Sequence, residues 1–300
     1  TAQASVTEVF VEKPSGSNST FVLNSVSIRE AEEDRSVNNK GLQVHGTITK
    51  TPVATGADLV AYSGFSGSNY LLQPYNPDLV AGTGTQTFMG WVYGTMDSTY
   101  RYPLTIGESD VSEQFRLGFR NNICYFDYGN GQQYSRWDAS FIPNNTWTFV
   151  VATITAGDEY GKVYINGVDK GIPDLHPVDA PSTFLTSTNY HLAIGIHPNL
   201  TSGPWNGSLA LLRYSHSPIT PEQVKKIYED EKKLFQENAK ATLYGSSDAV
   251  TALDYDDSNN VLHVGTSSGR SEFQGLRRIN NTTTAVTTAI SASNGLVAEQ

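Results

Sequence analysis

The chain has 300 residues, 38% of them hydrophobic and 17% charged, and a formal net charge of −10. That length and apolar content support a large core, whereas the negative balance excludes nucleic acid and anionic membranes as partners through like-charge repulsion. Its single cysteine, Cys124, excludes an intramolecular disulfide framework and a cysteine metal cluster.

Sixteen Tyr, with abundant Gly, Ser, Thr and Asn, give a composition rich in strands and loops. No apolar stretch approaches the ~20 residues needed to cross a bilayer, so membrane insertion is not expected. No signal peptide is visible. Thr1 in place of Met reads as the start of a processed or excised piece. Two Met and one Cys suit a protein that works outside a cell.

In chain order, Phe21 to Ile28 alternates apolar and polar residues as a half-buried strand does, and the charged run Arg29 to Arg35 breaks that pattern. Residues 1–37 therefore read as the final strand of a preceding module plus a linker. Residues 38–220 hold a succession of short β-type runs: Gln86–Gly94, Gln114–Arg120, Ile123–Gly129, Thr146–Ile154, Gly161–Val168, His191–His197 and Ser208–Ser215. Turn signals such as PNN, AGDEYG and NGVDKG separate them, with no helical periodicity between. The expected fold class is all-β, an antiparallel jelly-roll sandwich.

At Thr220 the period changes. Thr220 is placed as an N-cap, with Pro221 at the first helical position and Gln223 completing a capping box, so a helix is expected over 221–238. Its apolar residues Val224, Ile227, Tyr228, Leu234 and Phe235 lie on or near one stripe, predicting that it packs on the sandwich or on a neighbouring chain. Residues 239–300 return to alternating runs around a DDSNN turn and read as a β-propeller-blade-like repeat.

The stretches FMGWVYG, FIPNNTWTFVVATI, VYINGV and HLAIGIHPNLTSGPWNGSLALLRYSHSPITPEQVKKIY together resemble the laminin-G-like, concanavalin A-like jelly roll over roughly residues 40–230. The flanks, among them REAEEDRSVNNKGLQVHG and KIYEDEKKLFQENAKATLYG, are similar to stretches beside this jelly roll in tail-fibre and structural proteins of phages and prophages of marine proteobacteria. FVLNSVSIREAE resembles the last strand of a carbohydrate-binding jelly roll that often precedes it there. The resemblance implies a structural protein of the virion surface, hence extracellular, that adheres to host-surface glycans. It also implies other virion proteins as partners and a homo-oligomer, with the helix from Pro221 to Asn238 as the place for chain–chain contact.

Glu108, Asp110 and Glu113 fall in the order E-x-D-x-x-E, which resembles the catalytic strand of family-16 glycoside hydrolases. That likeness would make Glu108 the nucleophile, Asp110 its support and Glu113 the acid/base. On a regular strand, however, Glu113 points away from the other two, and Ser109 stands where a cleft strand wants a large aliphatic. GESDVSE is therefore expected to be a loop and the protein not an enzyme. No cofactor is expected, although Glu108 and Asp110 offer hard oxygen ligands to calcium.

Sugar binding needs an exposed aromatic for stacking and planar polar side chains for hydroxyls. Trp91 and Trp147 fall at core positions, and Trp205 at the core or its rim. Trp137 lies in the polar stretch QQYSRWDAS, and with Tyr134, Arg136 and Asp138 it makes a candidate surface patch. Tyr100 and Tyr102 in STYRYP make a second candidate pair. The six His are scattered and show no zinc-binding spacing, and Asp127 reads as a turn residue.

Overall fold

A computed structural model describes residues 41–108, 115–121, 123–129, 133–138, 142–184, 190–240, 250–266 and 268–283, with the backbone of 31–32. In chain order the strands are β1 (Ala31–Glu32), β2 (Leu42–His45), β3 (Thr49–Pro52), β4 (Val60–Ser63), β5 (Tyr70–Gln73), β6 (Thr85–Gly94), β7 (Arg101–Gly107), β8 (Phe115–Arg120), β9 (Ile123–Asp127) and β10 (Tyr134–Trp137). They continue as β11 (Thr148–Thr155), β12 (Lys162–Ile165), β13 (Val168–Asp169), β14 (His191–Ile194) and β15 (Gly207–Ser215). Helix α1 (Pro221–Glu231) follows, then β16 (Val250–Asp256), β17 (Val261–Thr266), β18 (Gly269–Gln274) and β19 (Arg277–Thr282).

Strands β1-β2-β5-β14-β7-β8-β9-β10 form one sheet and β13-β12-β11-β6-β15-β4-β3 the other. All strand pairs in both sheets are antiparallel. The alternation along β6 shows how they pack: Phe88 and Val92 join the core between the sheets, while Met89 and Trp91 point to the opposite face. From the first sheet the core takes Phe115, Leu117 and Phe119 on β8, and Cys124 and Phe126 on β9. The thiol of Cys124 is fully buried, as its apolar run implies, and burial raises its pKa above the ordinary range.

Helix α1 covers the far face of the second sheet. Val224, Ile227, Tyr228 and Phe235 pack there with Trp91, Phe149 and Ala210. A β-bulge between Ala210 and Arg213, with Leu211 at a left-handed φ of 49°, resets the parity of β15. Arg213 thereby reaches Glu231 at the helix end, while Tyr214 turns into the inter-sheet core against Phe115.

The helix begins as its sequence dictates. Thr220 Oγ1 accepts from Gln223 N at 3.2 Å, and Gln223 Oε1 accepts from Thr220 N at 2.9 Å. Thr220→Ala should lower stability by about 1 kcal/mol, read as a shift in the urea midpoint with an unchanged slope. Of the two partners expected for the helix's apolar stripe, the chain's own sheet is the one observed. Two expectations are corrected. The α-helix stops at Glu231 and tightens into a 3-10 turn over Lys232–Phe235 instead of running to Asn238. The second correction concerns the charged stretch read as a linker: Ala31 and Glu32 pair with Gln43 and Leu42 at the sheet edge. Ladder hydrogen bonds use backbone groups, and charged residues are common on edge strands.

The last four strands form their own meander, β16-β17-β18-β19. It is tied to the jelly roll through the bridge of Ala239 with Arg277 and the Lys240–Asp58 ion pair at 3.1 Å.

Candidate functional site

With α1 on the second sheet, the outer face of the first sheet is where polar side chains gather. Strand register builds it. β8 and β9 place Arg116 opposite Asp127 and Gly118 opposite Tyr125, and β10 continues those rows with Tyr134 and Arg136. The intervening residues, Leu117, Phe126 and Trp137, face the core. Successive side chains on a strand point to opposite faces, so Trp137 cannot share a surface with Tyr134 and Arg136.

This corrects the surface role expected for Trp137. It is 2% exposed, and its Nε1 donates to the carbonyl of Gly171 at 3.2 Å. Its three proposed companions keep their place on the outer side: Tyr134 and Arg136 are half-buried and Asp138 is exposed.

A groove of about 620 Å³ lies over this face, lined by Tyr100, Tyr102, Tyr125 and Tyr134 together with Arg116, Asp127, Arg136 and His197. The two patches that looked separate in the sequence thus meet in one site. Tyr102 is packed between two glycines: a Cβ on Gly118 would come within 2.7 Å of its ring and one on Gly203 within 2.6 Å. Gly203 also has φ of 59°, so both conformation and space require glycine there. Tyr102 N donates to the Gly203 carbonyl at 3.2 Å, and Arg101 bridges Asp97 at 2.6 Å and the Pro204 carbonyl at 3.0 Å. These contacts fix the loop wall that carries Tyr100.

Tyr100 is 36% exposed and meets Tyr125 edge-on at a centroid distance of 5.1 Å. Burial, then its hydrogen bond with Tyr100, pushes the Tyr125 pKa up, so that phenol stays protonated as a donor. On the groove floor Arg116 Nε lies 3.3 Å from Asp127 Oδ2, and Arg116 also hydrogen-bonds His197 Nε2. Asp127 is the last residue of β9, not a turn residue, and burial raises its pKa while Arg116 opposes the rise. Arg136 forms a two-point pair with Asp138, Nε to Oδ1 at 2.6 Å and Nη2 to Oδ2 at 2.9 Å. Arg116, Tyr125, Asp127 and His197 are the site residues that sequence reasoning missed.

Of the acidic stretch, only Glu108 falls among the described residues. β7 ends at Gly107 and β8 begins at Phe115, so Glu108 is the first residue past a strand, and it is exposed. Asp110 and Glu113 lie outside the described residues. Among the described residues, no group of three or more His, Cys, Asp or Glu is placed to hold a metal ion.

Residues 65–225 match the concanavalin A-like lectin/glucanases superfamily. The chain belongs to this superfamily. Solved structures resemble the chain at low identity. Domain 4 of an extracellular GH43 arabinanase from Geobacillus stearothermophilus, in complex with arabinotriose, is 22% identical with a TM-score of 0.45, over 66% of this chain and 87% of that one. The receptor-binding domain of botulinum neurotoxin mosaic serotype C/D is 15% identical with a TM-score of 0.49, over 81% of this chain and 58% of that one. A heptameric pentraxin from Limulus polyphemus is 14% identical with a TM-score of 0.36, over 50% of this chain and 73% of that one. No curated protein sequence matches the chain.

Proposed function

We propose that this superfamily member is a non-catalytic, lectin-like module that holds a glycan in the groove above β8, β9 and β10. One observation carries the reading. Four tyrosines line a single groove in which arginine, aspartate and histidine side chains supply donors and acceptors. Aromatic faces take the C–H surface of a pyranose and planar polar groups take its hydroxyls. Glycoside hydrolysis needs two carboxyl groups flanking the scissile bond. Among the described residues the lining has one, Asp127, and Arg116 is paired with it.

At the level of the whole protein, we place the module in an extracellular fibre or tail protein of a phage virion. There it would work beside other virion proteins as a homo-oligomer adhering to a host-surface glycan. The flanking sequences that resemble tail-fibre proteins support that placement. Screening on a glycan array, followed by calorimetry on the best ligand, tests the binding role. Tyr100→Ala should weaken binding about 5- to 30-fold, the range expected for losing one stacking ring worth about 1–2 kcal/mol. Its melting temperature should stay close to that of the parent, because Tyr100 is the most exposed of the groove's aromatic residues. Release of reducing ends from the bound glycan would instead establish a hydrolase.

A further inference from the structure

We infer that the ligand is an uncharged saccharide, and that uronates and sulfated sugars are discriminated against. The inference rests on the glycan-binding reading and concerns the same groove. A carboxylate or sulfate group is recognised by an arginine whose paired N–H groups are open to it. Here the charge of each guanidinium in the lining is already paired with a carboxylate. Arg136 donates Nη2 to Asp138 Oδ2 at 2.9 Å, and its Nε lies 2.6 Å from Oδ1 in the same ion pair. Arg116 forms an ion pair with Asp127, Nε 3.3 Å from Oδ2, and its Nη1 hydrogen-bonds His197. Arg101 gives Nε and Nη2 to Asp97 at 3.2 and 2.6 Å. Arg120, like Arg101 outside the lining, lies over the ring of Tyr100 at 5.0 Å.

The balance at one end is acidic: Asp174 Oδ2 accepts from the backbone N of Asp138 at 2.7 Å, which sets a second carboxylate beside the Arg136 pair. The formal charge of −10 on the chain adds repulsion toward a polyanion. An arginine–aspartate pair instead sets donors next to acceptors, the pattern that adjacent sugar hydroxyls complement, with no net charge to match. Affinity for a neutral ligand should then be flat in salt, because no ion pair forms on binding.

The test is affinity electrophoresis of the intact chain through gels containing neutral polymers (dextran, β-glucan, mannan, xylan) or acidic ones (polygalacturonate, hyaluronan, chondroitin sulfate), each at low and high ionic strength. The expected result is retention by a neutral polymer that does not change with salt. Asp138→Asn, a substitution at an exposed position, removes the carboxylate with which Arg136 is paired. It should gain retention on polygalacturonate at low salt by about tenfold in affinity, lost again at high salt. Salt-sensitive retention of the parent by an acidic polymer would overturn the neutral-ligand inference and leave glycan binding standing. Failure of Asp138→Asn to exceed the parent on polygalacturonate would refute the compensation argument. Retention by none of the polymers would count against glycan binding itself, and the inference would go with it.

Discussion

Trp91→Ala is expected to destabilise the protein by about 3–5 kcal/mol, the cost of emptying a large aromatic site in a packed core. Trp91 is 2% exposed at the centre of the layer between α1 and the second sheet. Its ring stacks on Phe235 at 4.2 Å and Tyr228 at 5.8 Å, and tilts against Phe149 at 5.4 Å. Its Nε1 donates to Glu231 Oε2 at 2.8 Å, and Glu231 also pairs with Arg213. Removing the indole therefore opens a cavity and takes away one of the two anchors at the end of the helix.

Urea unfolding gives the magnitude, and hydrogen exchange gives the location. Amides of α1 should exchange faster in the variant, because most of a short helix's stability comes from its packed face. Trp91→Phe should recover more than half of the loss, since it restores most of the burial and omits the hydrogen bond. Unchanged protection of α1 in Trp91→Ala would show that the helix holds without this ring.

Much of this layer was legible in the sequence. The capping box names the helix start residue by residue, because local spacing is all it needs. The helix end was misplaced because Lys232 to Phe235 keep helical composition while tightening to a 3-10 turn, a choice made by the packing of Phe235 against Trp91 and Trp147. The short strands β2, β3, β4 and β5 each span four residues, too few for a periodicity to stand out.

The groove was half legible. Strand parity alone separates Trp137 from Tyr134 and Arg136, so that error was avoidable. The Arg116–Asp127 pairing was also within reach. Two residues, 121 and 122, separate β8 from β9, and pairing Arg120 with Ile123 brings Arg116 opposite Asp127 by counting back along the hairpin. His197 and Gly203 were beyond reach, because the loop after β14, distant in sequence from Tyr102, lies against β7 to deliver them. No local pattern marks that approach. The bulge at Leu211 that turns Arg213 toward the helix is equally silent in the sequence.

Arg116→Met is expected to cost about 3 kcal/mol of stability near neutral pH, and most of that loss should disappear in acid. Arg116 and Asp127 are 12% and 14% exposed at their side chains, and removing one partner of a buried pair leaves the other charge without compensation, typically a 3–5 kcal/mol penalty. The partial exposure places the expected loss at the lower end. The sign with pH follows from Asp127. Burial already raises its pKa above the ordinary 3.8, and Arg116 is what holds it down. Without Arg116 the folded-state pKa climbs further, so the folded variant takes up a proton before the unfolded chain does.

Across that window the folded state binds more protons than the unfolded one, and stability therefore rises as pH falls. Relative to the parent, the deficit should be largest above the variant's Asp127 pKa. It should shrink as pH drops through that pKa, and below 3.8 what remains is the loss of packing on Tyr102 and of the bond to His197. Asp127→Asn in the same background should restore most of the neutral-pH stability, since no charge is then left unpaired. Urea titrations of the parent and both variants across the acid range decide the matter. A deficit constant with pH would mean that Arg116 acts through packing, with its charge contributing nothing to the floor of the groove.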